Sequence, residues 1–560
     1  MNATTRLLTT LSVSNVFCRN IHSVLHQELK VAHMSEVPLK QLLLKNLRKS
    51  ASAPEALFST YVNLVDSISS PETHQEFAKT IMEPYLDSCF IPKDASPAST
   101  YDFPTASSSS VENSSENIAA IFSQEMDINR NSGQDDSFEN KRLRDIQRYR
   151  AMRKWKRFGK LKQSVDPNDA FVLRLMSFNI LAQSLLESHP YLYKEHDKEA
   201  LHWKVRKYLI TQEILQVEAN VICLQEMQEA HLEEFLIPFR AQGYDYLYKK
   251  RTNDKDDGLL LLYRADQLVI LDHLKVEMYQ SGIEILSRDN VALVVKFALR
   301  ENLETQIVIA TTHLLYNPKR SDVRLGQTQI LLSEIERLAF LENTMTGPKY
   351  LPIILSGDFN LEPNTGVYKF ITQGQFTYQN KGRNLETQDY RLLSNLLIPP
   401  HLHVTDGCQH FNVLMQRLRG EGTGEVMLEN RERGQKRLSE DASRAEELRV
   451  NGGTSQCQTI EIDDKHSVNF SSGTLTHPFR FRSVYKHKNR HGKPEATTNQ
   501  GKWVTVDYIF FTEVEPLDKY SLPTADECND LPTIPNYAVG SDHLCLAATF
   551  KVLKKKRSSL

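Results

Sequence analysis

Residues 351–360 read Leu-Pro-Ile-Ile-Leu-Ser-Gly-Asp-Phe-Asn, an apolar run of strand character that breaks off into a carboxylate, Asp358, and an amide, Asn360. The β-branched and leucine-rich part, bounded by Pro and Gly, predicts a strand over Leu351–Ser356. The same texture recurs to either side, at Phe171–Phe178, Val221–Leu224, Gly258–Tyr263, Val291–Phe297, Gln306–Thr312 and Trp503–Phe511, with helical spacing near 200–218 and 322–342. Strands alternating with helices predict an α/β fold, and runs that are apolar throughout predict sheets covered on both faces.

The whole chain has 560 residues, with 68 Lys+Arg against 70 Asp+Glu and a formal net charge of −2. That composition belongs to a globular protein and excludes a fibre. No apolar run approaches the roughly 20 residues of a membrane-spanning helix, so no membrane insertion is expected. The seven cysteines include no Cys-x-x-Cys pair, which argues against a disulfide framework and a structural zinc site, and points to a reducing compartment. A polyanionic partner would have to be met by local basic patches rather than by the field of the whole molecule.

Outward from the strands, the chain divides by composition. Residues 1–35 are expected to be a leader: positions 1–27 lack Asp and Glu and carry Arg6 and Arg19, which suits a mitochondrial transit peptide or a plain disordered leader. Residues 36–92 are expected to form short amphipathic helices, through Leu42, Leu43, Leu47, Leu57, Tyr61 and Leu64, that dock a protein partner or pack on the main domain. Residues 93–140, with Ser107–Ser110 in a row, are expected to be a disordered linker. In the basic segment 141–165, Arg148, Arg150, Arg153, Lys154, Lys156 and Arg157 alternate with Tyr149, Trp155 and Phe158, which suits a single strand of nucleic acid, a solvated helix or a nuclear-import signal. The main α/β domain is expected over 170–553, interrupted by a flexible insertion at 417–472 that is rich in charge and glycine. Cytoplasm, with nucleus through the basic stretch, and mitochondrion are the alternative locations.

Rare polar residues gather where the strands end: Asn179, Glu226, His313, Asp358, Asn360, Asp507, Asp542 and His543. Each alone is an ordinary turn or cap residue, but α/β sheets build their sites at strand ends, so together they predict one pocket. Carboxylates and amides supply the oxygen donors that Mg²⁺ accepts, and phosphoester hydrolysis needs a hard cation with donors for the phosphoryl charge. The chain has no Gly-x-x-x-x-Gly-Lys loop, no His-Glu-x-x-His zinc pattern and no Gly-x-Ser-x-Gly elbow, which sets aside three other chemistries.

The order Phe-Asn, Leu-Gln-Glu, Thr-His-Leu, Gly-Asp-Phe-Asn, Val-Asp-Tyr-Ile and Ser-Asp-His resembles the endonuclease/exonuclease/phosphatase superfamily. Within it, Ser287-Arg-Asp-Asn-Val-Ala-Leu293, Thr312-His-Leu-Leu-Tyr-Asn-Pro318 and Ala200-Leu-His-Trp203 resemble the nocturnin and carbon-catabolite-repressor deadenylase branch, and most closely the Angel proteins. The resemblance covers roughly Leu173–Phe550 outside the insertion. It implies a four-layered α/β sandwich of two mixed sheets flanked by helices, with Mg²⁺ as cofactor and Mn²⁺ as the alternative ion. It implies Glu226 as principal metal ligand with Asn179 and Asp542 beside the metal, and Asp358 as the group that orients or deprotonates the attacking water. Asn360 would hold that water or the phosphate, while His313 and His543, the latter paired with Asp507, would stabilise charge on the phosphoryl oxygens. Asn290 would lie near the leaving sugar, with Arg288 beside it and Tyr316 standing where the deadenylase branch has another residue.

The activity so implied is metal-dependent hydrolysis of phosphate linkages at RNA 3′ ends. The first expectation is a deadenylase-like 3′-to-5′ exoribonuclease acting on mRNA, and the alternative is a phosphatase that removes a terminal 2′,3′-cyclic phosphate. A DNA nuclease or lipid-phosphate phosphatase on the same fold, or an inactive RNA-associated adaptor, are the contrasting readings.

Overall fold

The computed structural model describes residues 136–159, 165–387, 392–394, 396–420, 424–433, 457–463 and 466–556. The expected leader, the 36–92 helices and most of the 93–140 linker lie outside these residues.

The apolar runs pair into two main sheets. Along the chain their strands are β1 (Trp155–Arg157), β2 (Ala170–Asn179), β3 (Val221–Gln228), β4 (Tyr244–Lys250), β5 (Asp257–Arg264), β6 (Leu268–Glu277) and β7 (Val291–Leu299). They continue as β8 (Asn302–His313), β9 (Ile353–Asp358), β10 (Arg482–Ser483), β11 (Asp507–Thr512), β12 (Glu515–Tyr520) and β13 (Leu546–Leu553). The first sheet has the order β1-β12-β13-β2-β3-β5-β4 and the second β10-β11-β9-β8-β7-β6. Each contains one parallel pair, β2 with β3 and β8 with β9, and the other pairings are antiparallel.

Alternation along each strand sends successive side chains to opposite faces. In β2, Leu173 and Leu175 face the second sheet, where they join Leu293, Val295, Ile309, Ile354, Leu546 and Ala548 in a shared apolar layer. Met176 and Phe178 face outward, against Ile210 and Ile214 of α3 (Trp203–Val217) and Phe235 and Phe239 of α4 (Leu232–Ala241), which follow α1 (Asp136–Met152) and α2 (Gln183–Ser188) in the chain. The outer face of the second sheet, with Ala292, Val294, Val308 and Ala310, is covered by Ile330, Leu331 and Ile335 of α5 (Ser321–Ala339). The layers therefore run helix, sheet, sheet, helix, as expected. A fully buried leucine contributes about 1.5–3 kcal/mol, so the twin outer layers and the shared inner one hold the sheets at a fixed separation.

Two segments depart from the reading of the sequence. The linker ends before residue 140, because α1 begins at Asp136, and the basic segment carries the core of a latch rather than an open binding strip. Tyr149 is buried and donates to Glu213 at 3.0 Å, and the buried Arg153 guanidinium donates to Ser521 O at 2.6 Å and to Cys545 O while lying 4.3 Å from the Tyr520 ring. The described parts of the 417–472 insertion are docked. Arg417, at the end of α7 (Phe411–Arg419), reaches Glu336 on α5 at 2.8 Å; α7 follows α6 (Gly366–Gln373) in the chain. Residues 424–433 lie along β6, with Leu428 buried and Glu432 3.1 Å from Lys249. A hairpin, Gln458–Asp463 with His466–Phe470, buries Val468 and Phe470. The dense charge that read as flexibility in these parts meets charge on the domain. Residues 434–456 lie outside the described residues. Cys223 and Cys545 are fully buried in the core.

Candidate active site

The predicted residues converge at one end of both sheets. Asp358, the last residue of β9, is in register with His313 of β8 on one side and with Asp507 of β11 on the other, so three chemical groups form a row across the second sheet. Gly357 makes that row attainable: at φ +142°, any Cβ there would sit 2.0 Å from Thr312 O. In the first sheet the parallel register sets Asn179 beside Gln225, and the ladder between β3 and β5 then slips at residues 224–227. Within that slip Glu226 adopts φ +63°, a left-handed conformation that a glutamate takes at a cost and that turns its carboxylate into the pocket.

Asn179 donates through Nδ2 to Glu226 Oε1 at 2.9 Å and to Asp358 Oδ2 at 3.0 Å, while its Oδ1 accepts from Leu181 N. It thus bridges the carboxylates of the two sheets, its amide oxygen turned to the Leu181 backbone. Ala182 N holds the other Glu226 oxygen at 3.0 Å. Asn360, at φ +51°, donates to His313 Nε2 at 3.0 Å and to Leu314 O at 3.0 Å, and its backbone N–H donates to Asp358 Oδ1 at 2.9 Å.

The histidines differ in charge. His543 Nδ1 lies 2.9 Å from Asp507 Oδ2 and Nε2 lies 3.8 Å from Asp358 Oδ2. Burial opposes a charged ring, but Asp507 and Asp358 outweigh it and hold the His543 imidazole well above its usual pKa. Burial pushes His313 down to about 4, helped by the Arg251 charge and by His543. His313 is therefore a neutral ring whose Nε2 accepts from Asn360 and whose Nδ1 carries the proton, 3.9 Å from Glu226 Oε1. Burial, then the Asp507 charge, raises Asp358 well above the ordinary carboxylate range, the shift a general base near neutral pH needs.

Among the described residues, Asp358, Asp507 and His543 bring ligand-type atoms within 4.8 Å of one another. The His543 ring lies between the two carboxylates, with Nδ1 taken up by Asp507, so this trio is internally charge-paired. The two carboxylates outside this trio that could hold a hard ion are Glu226 and Asp542. Burial raises the Asp542 carboxyl, with the Glu226 charge acting the same way, and its Oδ1 is buried without a hydrogen-bond partner. An orphaned carboxylate oxygen next to a second carboxylate fits a divalent cation, because the ion would satisfy the one and neutralise both.

Two supporting residues carry no strand-end signature. Tyr193 donates to Asp542 Oδ2 at 3.1 Å and so leaves Oδ1 as the free oxygen. Arg206, fully buried on α3, donates to Gly540 O at 2.8 Å, Gln183 Oε1 at 2.7 Å and Ile180 O at 2.6 Å, and also to Leu181 O. It ties the turn after β2, which holds Glu226, to the turn that carries Asp542. The only signal for it was its place one helical turn from the Ala200-Leu-His-Trp203 segment.

The expected substrate contacts separate. Asn290 is buried, its Nδ2 donating to His313 O at 2.8 Å and its Oδ1 accepting from Gln327 at 2.8 Å, so it supports the His313 backbone. Arg288 folds back on Ser287. Tyr316, three residues past His313, is 62 % exposed and is the one of the three with a free ring face.

A model of the Endonuclease/Exonuclease/phosphatase family matches residues 176–543. Protein angel homolog 2 of Bos taurus is 31% identical over 416 residues, covering 69% of this chain and 70% of the relative. Protein angel of Drosophila melanogaster is 29% identical over 413 residues, covering 72% and 87%. The crystal structure of ANGEL2, described as a 2′,3′-cyclic phosphatase, in complex with adenosine-2′,3′-vanadate, superposes with a TM-score of 0.56 at 30% identity, covering 71% of this chain and 98% of that one.

Proposed function

The chain belongs to the endonuclease/exonuclease/phosphatase family, alongside the Angel proteins, and is a phosphoesterase hydrolase; from that premise we propose that it removes 2′,3′-cyclic phosphate from RNA 3′ ends with the help of a divalent metal ion, Mg²⁺ first. The choice of a cyclic phosphate over a poly(A) linkage rests on the likeness to ANGEL2 across nearly that whole chain.

The residues suit the steps such a reaction needs. Water must add to phosphorus while a bond to one ribose oxygen breaks, giving a phosphomonoester; a second addition releases orthophosphate and leaves both ribose hydroxyls. Asp358, with its raised pKa and its Oδ1 fixed by Asn360 N, takes the proton from the attacking water. His543, charged beside Asp507, faces the phosphate with Nε2–H and stabilises the charge that grows on oxygen. Asn360 orients His313, whose Nδ1–H adds a neutral donor. A divalent cation held by Glu226 and Asp542 would draw charge from the phosphoryl oxygens. Asn179, between Glu226 and Asp358, fixes the spacing of that ion's carboxylates from the base.

The test is an assay of the purified protein on one labelled RNA ending in a 2′,3′-cyclic phosphate or in a 3′-hydroxyl oligo(A) tract, with Mg²⁺ or EDTA and with Glu226→Gln as the blank. Conversion of the cyclic end to a hydroxyl at unchanged length, lost with EDTA and in the variant, is expected. A ladder of shortened products would replace this reading with the exoribonuclease, and no turnover of either end would favour an adaptor.

A further inference from the structure

We propose that the flank where both sheets end, formed by β1, β12 and the hairpin 486–493, is a track for the phosphate backbone of the RNA whose 3′ end enters the pocket; this rests on the RNA reading above. In the antiparallel register of β1 and β12, Lys156 stands directly opposite Lys519. Like charges placed opposite each other across strands destabilise a sheet edge, and an anion between them reverses the sign of that term. Lys519 is met by Glu495 at 3.5 Å, and Lys493 by Asp526 at 2.9 Å. Lys156, Lys486, Lys488 and Arg490 are exposed and have no carboxylate partner among the described residues. Burial and then, against the pull of Glu495, the charges of Lys156 and Lys486 hold the Lys519 ammonium below its usual pKa, which puts Lys519 within the field of both. In a chain of net charge −2 this is a local excess rather than a general one.

The flank is continuous with the pocket. Tyr485 anchors the start of the hairpin by donating to Tyr520 O at 2.7 Å and Ala547 O at 3.0 Å. The returning strand ends at Thr498, which bridges to His543 and donates through Oγ1 to Asp542 O at 2.8 Å. A strand of RNA whose 3′ phosphate is met by His543 can leave along this hairpin towards Lys486 and Lys156. The contacts offered are ammonium and guanidinium groups, which recognise phosphate and not base sequence.

The test uses the full chain with the triple variant Lys156→Gln/Lys486→Gln/Lys488→Gln, and the triple Lys→Arg variant as a control for folding. The probe is a fluorescent RNA of about ten nucleotides, whose binding is read by anisotropy as salt rises. The wild type and the arginine variant should show a log–log salt slope steeper than that of the glutamine variant by about 2, at about 0.7 for each phosphate that the variant leaves unneutralised. In turnover, the ratio of kcat/KM for the long RNA to that for a cyclic mononucleotide should fall at least tenfold in the glutamine variant. An unchanged salt slope overturns the track and leaves the patch to an acidic protein. Salt-dependent RNA binding through these lysines without hydrolysis of either cyclic substrate would support the track and overturn the proposed function instead.

Discussion

His543 Nδ1 and Asp507 Oδ2 are 2.9 Å apart at the buried edge of the second sheet, and this contact outweighs the burial that would otherwise neutralise the ring. Asp507→Asn keeps the shape of the contact but removes the negative charge and offers the ring a donor or acceptor of either kind. With saturating metal, kcat should fall on the order of 100-fold or more while the melting temperature changes little. Activity within a few-fold of the wild type would remove His543 from the charge-stabilising role.

Glu226 is held in a left-handed conformation with its charge acting on Asp542, an arrangement that a bound cation would relieve. Glu226→Gln should weaken Mn²⁺ or Mg²⁺ binding, read by calorimetry, by at least about tenfold. In EDTA the same variant should melt at or above the temperature of the wild type, since a source of repulsion is gone. A variant that is less stable without metal would show that Glu226 is there for the fold.

Arg206, fully buried, joins two turns through the carbonyl oxygens of Gly540 and Ile180. Arg206→Met leaves those acceptors buried and bare, and should cost about 3 kcal/mol or more in urea unfolding. Arg206→Lys, which keeps the charge with fewer donors, should recover part of that stability yet still bind metal more weakly, because Asp542 and Glu226 are no longer held at one spacing. Unchanged metal affinity in both variants would confine Arg206 to the fold.

His477 is buried with Nε2 donating to Phe370 O at 2.9 Å and Nδ1 accepting from Phe479 N at 3.2 Å, so both nitrogens are satisfied in the neutral ring. Burial lowers its pKa to about 4. Below the usual histidine pKa of about 6.5 the unfolded chain takes up a proton that the folded chain refuses, so stability is complete above that pH and declines as the pH falls towards 4. The loss is on the order of 3 kcal/mol at most. Urea unfolding from pH 7 to 4 should show this decline, and His477→Gln should flatten it; an unaltered slope would assign the acid sensitivity elsewhere.

Much of the pocket was legible because its residues terminate runs that can only be strands. The apolar stretch read over 171–178 is β2 at 170–179, and the Ser-Gly-Asp-Phe-Asn segment puts Asp358 and Asn360 at its own strand end. Strands that mix charge with apolar residues were not read: β6 contains Asp272-His273, and β12 contains Pro516 and Asp518. Tyr193 gave no signal, and Arg206 none beyond its place one helical turn from Ala200-Leu-His-Trp203, because what they do depends on turns that approach them from elsewhere in the chain. The basic segment could not be settled from its letters, since Arg153 is a latch only by virtue of Ser521 and Cys545, more than 350 residues away. The insertion misled for the same reason, its charges having partners such as Lys249 and Glu336 that proximity in sequence does not reveal.

Asn179, Glu226, Asp542 and His543 belong to the first sheet and its turns, whereas His313, Asp358 and Asp507 belong to the second. The reaction centre is thus split across a seam, and the thickness of the apolar layer between the sheets works as a feeler gauge for it. Shaving Leu293 or Leu546 touches no polar group, yet it would let the halves close by a fraction of an ångström and detune the Asn179–Asp358 and His543–Asp507 contacts together. Substitutions deep in the middle of this molecule cost stability through the space they leave, and they are also where losses of turnover beyond that cost should be looked for.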